Sequence, residues 1–391
     1  MNVTRGFCAA TLLLMIAVLV AGPQAGAGEN APPEKTAAKA PLSPDDVYNK
    51  GIKYLITSQN PDGSWGSFES ARPNEVWLGT VASHNAFGNA TAGLCVMALL
   101  GSARNNPDAA AALEKGVRFL INAPTVKRAT GDTLYNTWTH IYVLDAMCGV
   151  MRDTRLKNLH SDAKKVARQQ IEGLKKLQGA EGGWGYYDFS FASSHPTGSE
   201  SCSFMTAAVL LAFESAKNAG LDVSERMIKD GLKSLLALRM DDGAYMYGVY
   251  TRLQPKKLYN RVNGSLGRSQ SCNLALLRYR TGGVTIKDLE MGLDNLFKNH
   301  HFIEMGKGRP MPHESWYYTA GYYFFFGHYY AARCARELPE AERKKYNAQL
   351  ASVMCRLQDP DGSWWDFPLY NYYKSYGTAF ALMTMEFARE P

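Results

Sequence analysis

The sequence predicts an all-α protein in which six helical hairpins close into a ring, and three observations support this fold class. The first is a Gln followed six positions later by Trp, which occurs at Gln59 and Trp65, Gln178 and Trp184, and Gln358 and Trp364. The second is a Thr-Ala pair that returns at a related spacing. The third is that the first and last copies are the best preserved. Such recurrence marks one structural module per repeat.

The Gln–Trp spacing has a period of about sixty residues. Its three Gln residues are 119 and 180 positions apart, close to two and three periods. Weaker copies are therefore expected near positions 119, 239 and 299. Arg239 to Tyr245 keeps the spacing with Tyr in the Trp position, and segments 116–120 and 292–296 keep the preceding helix. We conclude that the chain contains six modules of one kind.

The first helix of each module is predicted to be amphipathic and to lie outside. In the first module it covers Asp45 to Ser58, with apolar residues at helical spacing and Ser43 or Asp45 as its cap. Pro61 and Gly63 end this part of the module, since Pro cannot continue the hydrogen-bond ladder and Gly permits a tight turn. The helix from Lys157 to Leu177 has the same charged character.

The second helix of each module is predicted to be buried. Thr91 to Leu100 and Trp316 to Ala332 are apolar nearly all round, which requires burial on every side. The Thr-Ala pair starts at Thr91, Thr206, Thr319 and Thr378. Six such helices would form an inner layer surrounded by six amphipathic ones.

The two ends of the array favour a closed ring over an open solenoid. Open solenoids usually carry atypical polar capping repeats at their ends. Here the first and last modules keep the clearest Gln–Trp copies, whereas the second and fifth are eroded. We therefore expect the sixth module to pack against the first.

The N-terminal region predicts an exported protein, periplasmic or extracellular. Residues 1–27 have a basic start, an apolar run and a small-residue cleavage pattern, as in a signal peptide. Residues 28–44 are predicted to be a disordered linker, and residues 45–391 the single ring domain. No later segment is long and apolar enough to cross a membrane, so we expect no transmembrane segment after signal removal.

Charge and cysteine content exclude some classes of function. The formal charge is +7, from 43 basic and 36 acidic residues, and the basic residues are spread over helix faces. Such spreading predicts a solvated surface and no nucleic-acid partner. Of seven Cys, the six after Cys8 lie in apolar runs and are expected to be small buried side chains, with a Cys334–Cys355 disulfide as an alternative.

The repeated Gln, Gly-containing turn and Trp resemble the repeats of squalene–hopene and oxidosqualene cyclases and of protein prenyltransferase β subunits. The resemblance covers residues 45–391 and implies an (α/α)6 toroid. It also implies a structural role for six residues, with each Gln stacked on its Trp and joining neighbouring outer helices: Gln59, Trp65, Gln178, Trp184, Gln358 and Trp364.

The chemistry of these families does not transfer readily. Class II cyclases use an Asp-x-Asp-Asp acid, and the Asp pairs at 45–46 and 241–242 have no preceding Asp at the required position. The prenyltransferases hold zinc with an Asp-x-Cys pair and a His. Glu200 and Cys202 resemble the pair, but Tyr318 stands where the His is needed, and His313-Glu314 lacks the second His of a metalloprotease helix. We predict no metal and no cofactor.

The loops entering the inner helices are predicted to surround a central cavity and to bind its ligand. They are rich in His, aromatic and amide side chains, which suit a carbohydrate or an amphipathic polycyclic or isoprenoid lipid. The alternative is that the aromatic residues only fill the ring axis. The predicted ligand-binding residues are His84, Asn89, Trp138, Arg261, Arg268, Gln270, Trp316, Tyr317, Tyr318, Tyr373 and Lys374.

Three functions remain open at this stage. The favoured one is an exported binding or scaffold ring whose partner is a carbohydrate, a lipid or another exported protein. A polysaccharide lyase or hydrolase would use Tyr, His and Arg of the cavity, and a non-standard terpenoid cyclase would use an unusual acid. Weak candidates for catalytic residues are His195, Glu200, His313, Glu314 and Asp145.

Overall fold

The computed structural model describes residues 42–72, 81–123, 126, 134–188 and 200–389, which form an (α/α)6 toroid. The predicted signal peptide and most of the predicted linker lie outside the described residues. Within the described part the helices are α1 Pro44–Thr57, α2 Val81–Ser102, α3 Pro107–Asn122, α4 Thr137–Arg152, α5 His160–Leu177, α6 Ser203–Asn218, α7 Glu225–Leu236, α8 Val262–Arg278, α9 Ile286–Lys298, α10 His300–Glu304, α11 Tyr323–Arg336, α12 Glu340–Leu357 and α13 Tyr373–Arg389.

The helices form two concentric layers, as predicted. The outer layer contains α1, α3, α5, α7, α9 and α12, and the inner layer contains α2, α4, α6, α8, α11 and α13. Each inner helix packs against the next, and α13 packs against α2, so the inner ring is closed. A two-stranded antiparallel pair, β1 Leu134–Tyr135 and β2 Tyr187–Asp188, joins the loops before α4 and after α5.

The Gln–Trp segment forms the joint between neighbouring modules. Gln178 donates hydrogen bonds to the carbonyl oxygens of Gly182 and of Met227 on α7, at 2.7 and 2.9 Å. The indole of Trp184 is fully buried and donates to the Leu174 carbonyl at 2.7 Å. Gly182 has a φ of +86°, a conformation that glycine adopts without steric cost.

The same joint closes the ring. Gln358 donates to the Val47 carbonyl on α1 at 2.8 Å, as Gln59 donates to Ala112 on α3 at 2.9 Å. The ring of Trp364 packs against Gly51 on α1, where an added Cβ would lie 2.5 Å from it. The expectation that the sixth module packs against the first is therefore confirmed.

Three element boundaries differ from the prediction. Helix α2 begins at Val81, ten residues before Thr91, because polar residues on its first turns mask the apolar pattern. The fifth inner helix begins at Tyr323 rather than Trp316, since Tyr317 and Tyr318 have positive φ values of 59° and 55°. The loop before the fourth inner helix ends at Arg261, so Arg268 and Gln270, which were expected on a loop, lie within α8.

Burial explains the cysteines. The six described Cys residues are all free; five are buried and Cys355 is half-buried. The expectation of small buried side chains agrees with these positions, and the alternative Cys334–Cys355 disulfide is absent from the described residues.

Candidate functional site

The ring encloses a central cavity of about 330 Å³ at the N-terminal ends of the inner helices. Such a volume lies at the lower end of the range for small-molecule sites. The lining residues come from all parts of the ring: Phe87, Ala90, Thr91, Leu94, Tyr135, Trp138, Tyr142, Tyr186, Tyr187, Tyr247, Pro312, His313, Tyr322, Phe326, Phe367, Leu369, Tyr376 and Phe380. Twelve of these eighteen are Phe, Tyr or Trp, and none of them is Asp, Glu, Lys or Arg.

Two sequence positions supply most of this aromatic wall. Inner helices contribute residues four apart, which share a helix face: Trp138 stacks on Tyr142 with ring centroids 5.3 Å apart, and Phe326 lies one turn after Tyr322. The turns contribute the residue two positions after the joint Trp or Tyr. Tyr186 and Tyr247 occupy that position in the third and fourth modules.

One end of the cavity is polar because hydroxyl groups gather there. The Tyr186 and Tyr247 hydroxyls lie 2.6 Å apart, and the Tyr323 hydroxyl lies 3.3 Å from that of Tyr186. The Tyr322 hydroxyl lies 3.3 Å from Nε2 of His313. We call Tyr186, Tyr247, Tyr322 and Tyr323 the phenol cluster.

Burial keeps these groups neutral near pH 7. It raises the pKa of each tyrosine of the phenol cluster and lowers the pKa of His313. Nδ1 of His313 lies 2.7 Å from the Tyr318 carbonyl oxygen, which accepts only from a protonated nitrogen. His313 Nε2 is therefore the acceptor for the Tyr322 hydroxyl.

Arg268 lies behind the phenol cluster and is fully buried. Its guanidinium carbon is 4.9 Å from the ring centroid of Tyr247 and 5.3 Å from that of Tyr323. Its Nη1 and Nη2 donate to the carbonyls of Gly264 and Tyr259, at 2.8 and 2.6 Å. Arg268 was expected on a rim loop, but it lies within α8 because that helix starts earlier.

A buried carboxyl adjoins the cavity wall. Asp366 is fully buried; its Oδ2 accepts from the Phe325 amide at 3.0 Å and its Oδ1 from the Tyr376 hydroxyl at 2.9 Å. Burial raises its pKa to about 6, although these hydrogen bonds oppose the shift. Asp366 was missed by sequence reasoning, yet it lies two positions after Trp364, the position that Tyr186 and Tyr247 occupy in their modules.

Few of the predicted ligand-binding residues line the cavity. Trp138 does, and Arg268 stands behind its wall. Gln270 is buried and donates to Gly292 on α9, and Asn89 is buried beside a smaller pocket between α2 and α4. The others lie outside the cavity lining: His84 against Tyr370, Arg261 at the start of α8, Trp316, Tyr317 and Tyr318 on a turn, Tyr373 against Trp365, and Lys374 paired with Asp361.

The weak catalytic candidates are also separated. His313 lines the cavity, whereas Glu200 and Glu314 are exposed and His195 lies outside the described residues. Asp145 lines a different cavity, of about 680 Å³, at the C-terminal ends of the inner helices, and burial raises its pKa. Arginines in the last turns of α4, α8 and α11 surround it, as the negative ends of helix dipoles favour.

The described residues contain no group of three or more His, Cys, Asp or Glu side chains placed to hold a metal ion. Cys202, which resembles the second residue of the prenyltransferase pair, is buried, and burial raises its pKa to about 12.

Solved structures share the fold at low sequence identity. The GH76A alpha-1,6-mannanase from Salegentibacter sp. HEL1_6 aligns with a TM-score of 0.53 and 11% identity, covering 89% of this chain and 100% of its own. The GH76 alpha-mannanase of Bacteroides thetaiotaomicron aligns with a TM-score of 0.52 and 12% identity, and the alignment covers 89% of this chain and 96% of the mannanase. A type II terpene cyclase from Scytonema aligns with a TM-score of 0.48 and 14% identity, and the alignment covers 88% of this chain and 97% of the cyclase.

Sequence comparison identifies the family. No curated protein matches the chain in sequence. The family model of the squalene-hopene cyclase C-terminal domain, however, matches residues 35–281, well over half of the chain. With its twelve-helix ring, its repeated joints and its aromatic centre, the chain belongs to the squalene-hopene cyclase C-terminal domain family.

Proposed function

We propose that the protein binds an apolar, isoprenoid-like ligand in its central cavity and lacks standard cyclase or prenyltransferase activity. The composition of the wall carries this proposal, since the eighteen lining residues include twelve aromatic rings and no charged side chain. Aromatic faces bury large apolar area, and the hydroxyls would fix orientation. The lining has no amide, carboxylate or guanidinium side chain to bind sugar hydroxyls in pairs, so the carbohydrate alternative is less favoured.

The lyase alternative is less favoured because of size. A polysaccharide lyase has to hold sugar rings on both sides of the bond that it breaks. The cavity of about 330 Å³ lies at the lower end of the range for small-molecule sites, which leaves little room for a polymer.

A cavity-filling variant tests the proposed function. Ala90 lines the cavity on α2, so Ala90→Phe places a ring where the ligand would lie. We expect the wild-type protein to bind the hydrocarbon β-farnesene and not mannotriose in isothermal titration calorimetry. We expect Ala90→Phe to weaken farnesene binding at least tenfold. Ala111→Phe, on the exposed face of α3, is the matched control. Mannotriose binding without farnesene binding would contradict the proposal.

A non-standard cyclase is the second candidate, and Asp366 is the observation that favours it. This buried acid has a raised pKa and contacts Tyr376, which lines the cavity. Two donors already occupy its oxygens, which fits a structural role as well. Incubation with squalene distinguishes a catalytic from a structural role of Asp366. A cyclic product made by the wild type and not by Asp366→Asn supports the cyclase.

We also propose that the protein is exported, on the N-terminal pattern of residues 1–27. Among the described residues, no helix combines the length and apolar composition needed to span a bilayer. N-terminal sequencing of the protein recovered from its native compartment tests export, and we expect the chain to start close to residue 28.

A further inference from the structure

We propose that the ligand of the central cavity is an apolar carboxylic acid whose carboxylate lies at the phenol cluster, in front of Arg268. This inference rests on the function proposed above, because it names the chemistry of the same ligand. Three features of the cavity's polar end support it: a group of hydroxyl donors, a buried cation, and a helix N-terminus.

The cavity lining combines two kinds of side chain. Phe87, Leu94, Phe326 and Phe380 are apolar and suit a hydrocarbon body. The phenol cluster and His313 bring hydroxyl and imidazole groups together in one place. A ligand that matches both has an apolar body and one polar head.

The hydroxyls at the polar end differ in how closely they are engaged. The Tyr186 and Tyr247 hydroxyls are 2.6 Å apart, whereas the Tyr322–His313 and Tyr186–Tyr323 contacts are both 3.3 Å long. Hydroxyl donors normally approach an oxygen acceptor to about 2.7–2.8 Å. Because a hydroxyl proton can rotate, Tyr322 and Tyr323 could turn to a ligand oxygen that lies closer than their present partners. A carboxylate offers two such oxygens and can accept from more than one phenol.

Arg268 makes the polar end electropositive. Its side chain is fully buried, its Nε has no hydrogen-bond partner, and the described residues give its guanidinium no carboxylate within ion-pair distance. A buried charge without a counter-ion is costly, and carbonyls and ring faces offset only part of that cost. A ligand carboxylate would supply the missing negative charge across the rings of Tyr247 and Tyr323.

The direction of the inner helices adds to this field. Tyr323 is the first residue of α11, and Phe204 is the second residue of α6; their rings are 5.1 Å apart. Both helices begin beside the phenol cluster, and helix N-termini carry partial positive charge. The Asp366 carboxyl already accepts from the Phe325 amide near the start of α11, so the N-terminus of α6 is the one that favours an anionic head.

Matched ligands and ring-preserving variants test the proposal in titration calorimetry. Farnesoic acid and methyl farnesoate share one skeleton and differ in charge, so we expect the wild type to bind the acid at least tenfold more tightly. We expect the Tyr186→Phe/Tyr322→Phe double variant, which keeps both rings, to lower the affinity for the acid about tenfold or more and that for the ester less than threefold.

Arg268→Met removes the cation and should bring the acid's affinity down to that of the ester. If this variant does not fold, the double Phe variant still decides the question. Tyr279→Phe is the matched control, since it removes a hydroxyl at the end of the same α8 helix that bonds to the Leu210 carbonyl, outside the cavity lining.

Two results would overturn the inference, and only the second would also refute the proposed function. Equal binding of acid and ester, or an unchanged ratio in the double variant, would refute the carboxylate while leaving an apolar binding cavity. Failure of the acid, the ester and β-farnesene to bind would refute the proposed function as well.

Discussion

At the scale of single residues, the position two after the joint aromatic residue has different roles in different modules. In modules three and four it holds Tyr186 and Tyr247, which supply hydroxyls to the polar end. In module six it holds Asp366, whose carboxyl accepts from the Phe325 amide near the start of α11 and from Tyr376. Equivalent backbone positions thus line the cavity in some modules and form internal hydrogen bonds in another.

The raised pKa of Asp366 predicts a pH dependence. Its pKa is about 6 in the folded protein, against an ordinary value of 3.8 for an aspartate, so the folded state keeps this proton when the unfolded chain has lost it. Between about pH 4 and pH 6 the stability contributed by Asp366 therefore falls as pH rises, by ~3 kcal/mol in total. Asp366→Asn should lack this fall.

The measurement is the difference in urea unfolding free energy between wild type and Asp366→Asn at pH 4 and pH 7. We expect the wild type to be relatively more stable at pH 4. The difference is needed because buried His328, whose pKa burial lowers to about 3, makes both proteins less stable as pH falls below about 6.5. A difference that does not vary with pH would contradict the assignment to Asp366.

At the scale of elements, the joint works by packing a flat indole against a helix that has no side chain there. An added Cβ at Gly231 of α7 would lie 2.8 Å from the ring of Trp184, and at Gly116 of α3 an added Cβ would lie 2.8 Å from that of Trp65. The Trp184 amide also donates to Thr206 on α6 at 2.9 Å. Each joint therefore binds the next outer helix and its own inner helix together.

Alanine at two glycines should have opposite effects. Gly231→Ala places a methyl group against the buried, rigid Trp184 ring, so we expect a loss of ~1–3 kcal/mol in unfolding free energy. Gly88→Ala, in α2, meets only Tyr372 at 3.8 Å, so we expect a gain of ~0.5–1 kcal/mol from helix propensity. Chemical unfolding measures both free energies. Equal destabilisation by the two variants would contradict the idea that the close contact of Gly231 with the Trp184 ring causes the loss.

Periodicity predicted the joints and the two helix layers, because both repeat along the chain. It did not predict where inner helices begin: Trp316 to Tyr318 is as apolar as the helix that follows, yet positive φ values at Tyr317 and Tyr318 exclude them from it. Nor did it identify the cavity wall beyond Trp138 and His313. An inner helix that is apolar all round carries no sequence mark of the face that lies toward the ring axis.

At the scale of the whole molecule, closure brings the two ends of the described chain together. Nη2 of Arg389, at the end of α13, lies 2.6 Å from Oδ1 of Asp45, near the start of α1. The Cys95 thiol on α2 also lies 3.7 Å from the Ser375 carbonyl on α13. First and last modules are thus neighbours in the same sense as any other pair.

A circular permutant should therefore fold. A short Gly-Ser linker would join Arg389 to Leu42, and the new ends would lie between Gly282 and Gly283, where an added Cβ at Gly282 meets nothing within 4 Å. We expect cooperative thermal unfolding with Tm within about 5 °C of the parent, since no joint is broken. The parent with the same linker inserted after Gly282 is the control. Loss of cooperative unfolding in the permutant alone would argue against a continuous ring.

The ion pair between Arg389 and Asp45 places both ends of the described ring on one side of the toroid. This position determines how the cavity is oriented when the protein is attached to a tag or a surface. Along α13, Tyr376 and Phe380 line the aromatic cavity, whereas Met383 and Glu386 reach the opposite side of the toroid, where Arg389 follows. Residue 42 and residue 389 therefore both leave the body on the side remote from the cavity. A tag, a fused domain or an immobilising surface joined directly at residue 42 or residue 389 would leave the aromatic pocket directed outward, toward the solution.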